Sequence, residues 1–205
     1  SGAYFHPDAL ASVTDEVKAQ IDFSDIAQAR ITLKMWQFEK PVIAALNGLA
    51  IGGAFTMCVS CADLIYASEH AWATLPFARL GIVPELASSY LLPRLLGFQR
   101  ANEIMFFGER ITAQQLYEWG LANKVLPHDE LIAYARDMAM RLVPPGGAGL
   151  AIKLVKRALR KPLIDQITTA LGLENEGLTK AMTTEDFMEA IAARTQKRAP
   201  VFKGR

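Results

Sequence analysis

The stretch KPVIAALNGLAIGGAFTMCVSCADLIYAS, Lys40 to Ser68, decides the fold class. PVIAALNG is a short apolar run closed by Asn47-Gly48, the pattern of a buried strand that enters a tight turn. From Leu49 the period changes, and the paired glycines Gly52 and Gly53 open a helical run. DLIYAS and AWATL, the latter Ala71 to Leu75, read as two more short strands. Strand, glycine turn, helix, strand is the order of an α/β domain with a largely parallel, buried sheet.

Upstream, DFSDIAQARITLKMWQFEK (Asp22 to Lys40) carries Ile26, Ile31, Met35 and Phe38 on or near one helical stripe and ends before Pro41. Downstream of Pro84 helices dominate. ITAQQLYEWGL starts with a Thr112-x-x-Gln115 capping box and stops at Gly120, a C-cap. NKVLP reads as a last strand, and DELIAYARDMAMRL as an amphipathic helix closed by Pro144-Pro145. The remainder is helical, without repeats or a long linker. The expected division is a core over 1–127 and a helical extension over 128–205 that packs on its own sheet or on another subunit.

The chain has 205 residues, is 51% hydrophobic and 21% charged, and has a net charge of +1. It can bury a real core, and it offers no basic field for nucleic acid. The expected partners are small molecules or copies of itself. No apolar run reaches the length of a membrane span and the first residues lack the order of a secretion signal, so a reducing, cytoplasmic setting is expected. Cys58 and Cys61 have C-x-x-C spacing without a second pair to complete a zinc site. The same spacing puts both on one face of an apolar helix, where cysteine acts as a small hydrophobe.

One carboxylate stands out in GIVPELASS, Gly81 to Ser89. Pro84 suits the first turn of a helix, which would put Glu85 just inside that turn, where an acid offsets the macrodipole. A catalytic acid needs a partner site as well. Gly52 and Gly53 could supply one, since they begin a helix whose free N–H groups would stabilise an anion; they could equally just let helix and strand pack. No G-x-G-x-x-G or P-loop pattern is present. His6, His70 and His128 lack metal spacing, and Ser88 and Ser89 lack a nucleophile elbow.

The run from Lys40 to Gly97, continued by GERITAQQLYEWGLANKVLP and the terminal RAPVFKGR, resembles the crotonase superfamily of acyl-CoA enzymes. The opening SGAYF is similar to the family's A-G-x-D segment, with Tyr4 where the acid is usual. The match places Ser1 inside the family domain, so strands and a helix are expected before it. The resemblance implies a crotonase-like spiral of ββα units with a C-terminal helical extension, no metal or redox cofactor, and homotrimers or dimers of trimers.

For the site, the resemblance implies an acyl-CoA thioester whose carbonyl is held by the N–H groups of Ala3 and Gly53. Leu49, Thr56, Phe77, Leu80 and Leu86 would line the substrate, and Ser1, Gly2, Phe202 and Lys203 would contact the CoA. Hydratases of the family carry two glutamates, at places that fall on Thr56 and Phe77 here, which disfavours hydration. Glu85 falls where Δ3,Δ2-enoyl-CoA isomerases place their single base, in apolar surroundings expected to raise its pKa. Another crotonase-type reaction with one acid, such as thioester hydrolysis, and a non-catalytic acyl-CoA-binding module remain as alternatives.

Overall fold

Short apolar runs separated by turns give short strands here, and each turn decides which sheet the next strand joins. The computed structural model describes residues 14–19, 22 and 24–205. α1 (Asp15–Lys18) and α2 (Ala29–Gln37) lead into β1 (Ile43–Leu46), and Asn47-Gly48 passes the chain to β2 (Leu49–Ile51) in a different sheet. α3 (Gly53–Cys61) then returns it to β3 (Leu64–Ser68) alongside β1, and β4 (Trp72–Thr74) follows alongside β2. Each strand, strand, helix pass therefore adds one strand to each of two sheets.

α4 (Ser88–Leu96) and α5 (Phe98–Phe107) close the second pass, and β5 (Ile111–Thr112), α6 (Ala113–Glu118) and β6 (Lys124–Leu126) supply the last strands of the two sheets among the described residues. The order β1-β3-β6 is parallel throughout, whereas β2-β4-β5 pairs β4 with β5 antiparallel. This is the expected spiral of ββα units. The Thr112–Gln115 capping box is formed in both directions, and Gly120 (φ 76°) terminates α6 in the left-handed region. α7 (Leu131–Met140), α8 (Gly149–Arg160), α9 (Ile164–Ala181) and α10 (Glu185–Thr195) make up the helical third. No helix among the described residues is long and apolar enough to cross a membrane.

The main core takes Leu46, Phe55, Ile65, Leu75, Phe77, Leu92, Ile111 and Leu116 from both sheets and the helices over them. Each large side chain so buried contributes about 1.5–3 kcal/mol. A second cluster joins α2 to α9 through Trp36, Ile167, Ala170 and Leu171, and it encloses Ala87. α9 is thereby packed against the segment that holds Glu85.

α2 differs from the stripe read from sequence. Ile31 and Phe38 are exposed, and the buried positions are Thr32 and Trp36. The indole decides the rotation, because its N–H reaches the Ser60 carbonyl of α3 at 2.9 Å, and a buried indole needs such a partner.

α8 is fastened by charge. Lys156 Nζ donates to Asp63 Oδ2 and to the Lys40 carbonyl, both at 2.7 Å, and Arg160 pairs with Asp63 Oδ1 at 2.9 Å. Asp63 also accepts the Val42 N–H at 2.7 Å, so one carboxylate ties α8 to the entrance of β1. Lys156→Met is expected to lower stability by about 1–3 kcal/mol, because Arg160 and Val42 still satisfy Asp63. Urea unfolding reads this directly, and an unchanged midpoint would remove the cluster from the account of how α8 docks.

Candidate active site

Gly52 ends β2 and begins α3. Its N–H extends the β2–β4 ladder to the Thr74 carbonyl at 2.9 Å, and its φ of 55° is a conformation that favours glycine. A Cβ there would stand 3.8 Å from the Phe77 ring, so Phe77 packs over the turn. α3 starts at Gly53, and the N–H groups of Gly53 and Ala54 donate to no acceptor among the described residues. They carry the positive end of the helix. Thr56, fully buried one turn on, directs its hydroxyl to the Gly52 carbonyl at 3.4 Å.

Glu85 does not sit inside a helix. α4 begins only at Ser88, because Leu86 and Ala87 both adopt left-handed conformations with φ of 61° and 58°. The Ser88 N–H and hydroxyl close this turn on the Glu85 carbonyl, at 3.1 and 2.7 Å. The turn is anchored by Leu86 and Ala87, each 0% exposed, and it points the Glu85 side chain back at α3.

The two carboxylate oxygens of Glu85 have different surroundings. Oε2 accepts from Gln28 Nε2 at 3.0 Å. Oε1 lies against Gly53, so close that a Cβ on Gly53 would overlap it. Burial raises the Glu85 pKa above the ordinary 4.5; the Gln28 hydrogen bond opposes this, and the nearby Glu174 charge adds to it. The account of Glu85 as an acid inside the first turn of its own helix therefore loses its geometric basis.

Gln28, the residue before α2, is itself left-handed at φ 59°. The Leu86 N–H donates to the Ala27 carbonyl at 3.1 Å, which joins the Gln28 turn to the Glu85 turn. Two consecutive residues of α9 hold both turns from behind. Glu174, 3% exposed, accepts the Ala87 N–H at 2.7 Å on Oε2, and the Ser89 N–H at 2.9 Å and hydroxyl at 2.6 Å on Oε1. Asn175 Oδ1 accepts the N–H groups of Ile26 at 2.9 Å and Ala27 at 3.2 Å. Neither α9 residue nor Gln28 is marked by any motif; only the fold brings them here, across 57 to 149 residues of chain.

Among the other residues singled out from sequence, Phe77 is buried against Gly52, Leu80 is half-buried on the helical turn Ala78–Leu80, and Leu49 is 60% exposed at the start of β2. Ser1, Gly2, Ala3, Tyr4 and His6 lie outside the described residues. Phe202 and Lys203 lie on a tail held to α10, where the Lys203 N–H donates to Asp186 at 2.6 Å and its Nζ pairs with Glu185 at 3.2 Å.

Cys61 is buried and Cys58 half-buried, and burial pushes both thiols up, as small hydrophobes would show. His128 accepts or donates at 3.0 Å with Ser68, which is fully buried and so closed to substrate. No metal-binding group of side chains exists among the described residues. The Ser88 hydroxyl donates to the Glu85 carbonyl and the Ser89 hydroxyl to Glu174, so neither is presented as a nucleophile.

The sequence profile described as Enoyl-CoA hydratase/isomerase matches residues 8–205. The carnitinyl-CoA dehydratase of Salmonella typhi is 37% identical over 188 residues, covering 90% of this chain and 70% of the relative. The solved enoyl-CoA hydratase/isomerase of Pseudoalteromonas atlantica T6c superposes with a TM-score of 0.80 at 33% identity, over 85% of this chain and 69% of that one. An enoyl-CoA hydratase of Mycobacterium avium subsp. paratuberculosis K-10 gives 0.80 at 29% identity, over 85% and 70%.

Proposed function

Since the chain belongs to the enoyl-CoA hydratase/isomerase family of acyl-CoA enzymes, we propose that it isomerises 3-enoyl-CoA to 2-enoyl-CoA with Glu85 as the single proton shuttle. The observation that carries this reading is the division of labour within one carboxylate: Oε2 is held by Gln28 while Oε1 stands free against the start of α3. The Gly53 N–H, with Ala3 as its expected partner, would hold the thioester oxygen. Oε1 takes a proton from C2, the electron pair passes into the thioester to give a dienolate, and the same oxygen returns the proton to C4. The double bond moves from C3–C4 to C2–C3 and nothing is gained or lost. Each donor to the developing oxyanion is worth about 3–4 kcal/mol of barrier.

Addition of water requires a second group to position it and exchange its proton. The two places where the family's hydratases carry acids hold Thr56, whose hydroxyl is engaged with Gly52, and the apolar Phe77. Isomerisation asks for one acid only. Phe77 and Leu80 would border the acyl chain, with Thr56 and Leu86, both 0% exposed, packed behind that wall, and Phe202 and Lys203 would meet the CoA.

The test is to incubate the protein with a 3-enoyl-CoA and follow the absorbance of the conjugated 2-enoyl thioester. A rise above a heat-inactivated control is expected, and no rise would sink the proposal. The same assay across pH reads the shuttle. Only ionised Glu85 can take the C2 proton, so kcat/KM, which reports the free enzyme, should fall as pH drops through its raised pKa, with a midpoint above 4.5. A midpoint at or below 4.5 would exclude Glu85 in its buried setting.

A further inference from the structure

On the reading of Glu85 as the base, we propose that Glu174 and Asn175 of α9 are positioning residues that make the helical third a working part of the active site. Three residues around Glu85 that are neither glycine nor asparagine have positive φ: Gln28, Leu86 and Ala87. Such conformations are costly for L side chains and persist only where the surroundings over-determine them. The over-determination is concentrated on one turn of α9. Glu174 receives three donors from the turn that carries Glu85, and Asn175 receives two from the turn that carries Gln28. Between the turns run the Leu86 to Ala27 bond and the Gln28 to Glu85 bond.

The result is a closed circuit: α9, the Glu85 turn, the Glu85 carboxylate, Gln28, its own turn, and α9 again. A carboxylate is the right group at 174, because every one of its contacts is a donor and both oxygens are used. An isolated buried acid would be expensive, and here three donors satisfy it. Glu174 makes no contact with the reacting atoms in this arrangement. It sets where Glu85 Oε1 stands relative to Gly53.

Glu174→Gln replaces one acceptor oxygen with an amide NH2 that opposes the N–H of Ala87 or Ser89. With 3-enoyl-CoA as substrate, the full chain carrying this change should lose about 100-fold in kcat, the cost of a misplacement near 1 Å. KM and the affinity for 2-enoyl-CoA should stay within about 3-fold, because acyl-CoA contacts are untouched. Ser89→Ala removes one donor of three and leaves the rest, and should lower kcat by about 3- to 10-fold at constant KM. If Glu174→Gln does not fold, by circular dichroism, Ser89→Ala decides.

A purely structural role would lower the melting temperature and the folded fraction while leaving kcat per folded molecule unchanged, and that result in either folded variant overturns the proposal. Glu85→Gln measured alongside separates the two levels. An inactive Glu85→Gln with wild-type kcat in Glu174→Gln and Ser89→Ala defeats the positioning role alone, and an active Glu85→Gln defeats the base on which it rests.

Discussion

A Glu85→Gln protein is expected to keep its fold and its acyl-CoA affinity while turning over 3-enoyl-CoA about 10³- to 10⁴-fold more slowly, near the upper end of what one general base contributes. The amide keeps the size of the side chain, and its oxygen can still accept from Gln28. What it loses is the ability to take a proton from C2. Stability should move in the opposite direction from activity. Because burial raises the Glu85 pKa, the folded chain holds the proton more tightly than the unfolded chain does. The stabilising contribution of the protonated form is present below 4.5 and is lost as pH rises through the raised value. At neutral pH the ionised, half-buried carboxylate is a burden on the fold, and a neutral amide relieves it. The melting temperature should therefore be equal or higher in the variant. Near-normal turnover would remove Glu85 from the chemistry, and a lowered melting temperature would show that the carboxylate contributes to the fold in a way its burial does not explain.

The parts of the fold legible in the sequence are those fixed by local pattern. PVIAALNG, DLIYAS and NKVLP became β1, β3 and β6 because a run of apolar residues between turn formers has few other solutions, and Gly52 turned the chain where the backbone favours glycine. The rotation of α2 was not legible, since Ile31 and Trp36 are equally apolar and only the Ser60 carbonyl, on another helix, tells them apart. The placement of Glu85 failed for a related reason. Pro84 is a sound helix starter, but Leu86 and Ala87 have no signature of left-handed backbone, and what holds them there is a carboxylate 87 residues away in the chain. Glu85 is conspicuous in one dimension as a lone acid after Pro84 among apolar neighbours, and its proposed role as base comes from the resemblance. Gln28, Glu174 and Asn175 were missed because their roles exist only in three.

Gly53→Ala is expected to leave the fold standing and still cost about 10²- to 10³-fold in kcat, on the scale of a misplaced reacting group. Gly53 opens α3 with an ordinary φ, so alanine strains no backbone there and, as the better helix former, favours α3 slightly. The added methyl would overlap Glu85 Oε1 and come within 3.4 Å of its Cδ. The obstacle is the far end of a flexible side chain, so the carboxylate swings aside instead of the helix moving. That motion breaks the Gln28 contact and carries the base away from C2, while the Gly53-position N–H remains to bind the thioester oxygen. Affinity for acyl-CoA should accordingly change little, and the loss should fall on kcat. The double variant Gly53→Ala/Glu85→Gln supplies the internal check. With the base already removed, the methyl displaces only an amide that moves no proton, so the double variant should be no slower than Glu85→Gln alone. Wild-type kcat in a folded Gly53→Ala protein would mean that the carboxylate does not need its place against α3, and the proton shuttle would have to be sought elsewhere.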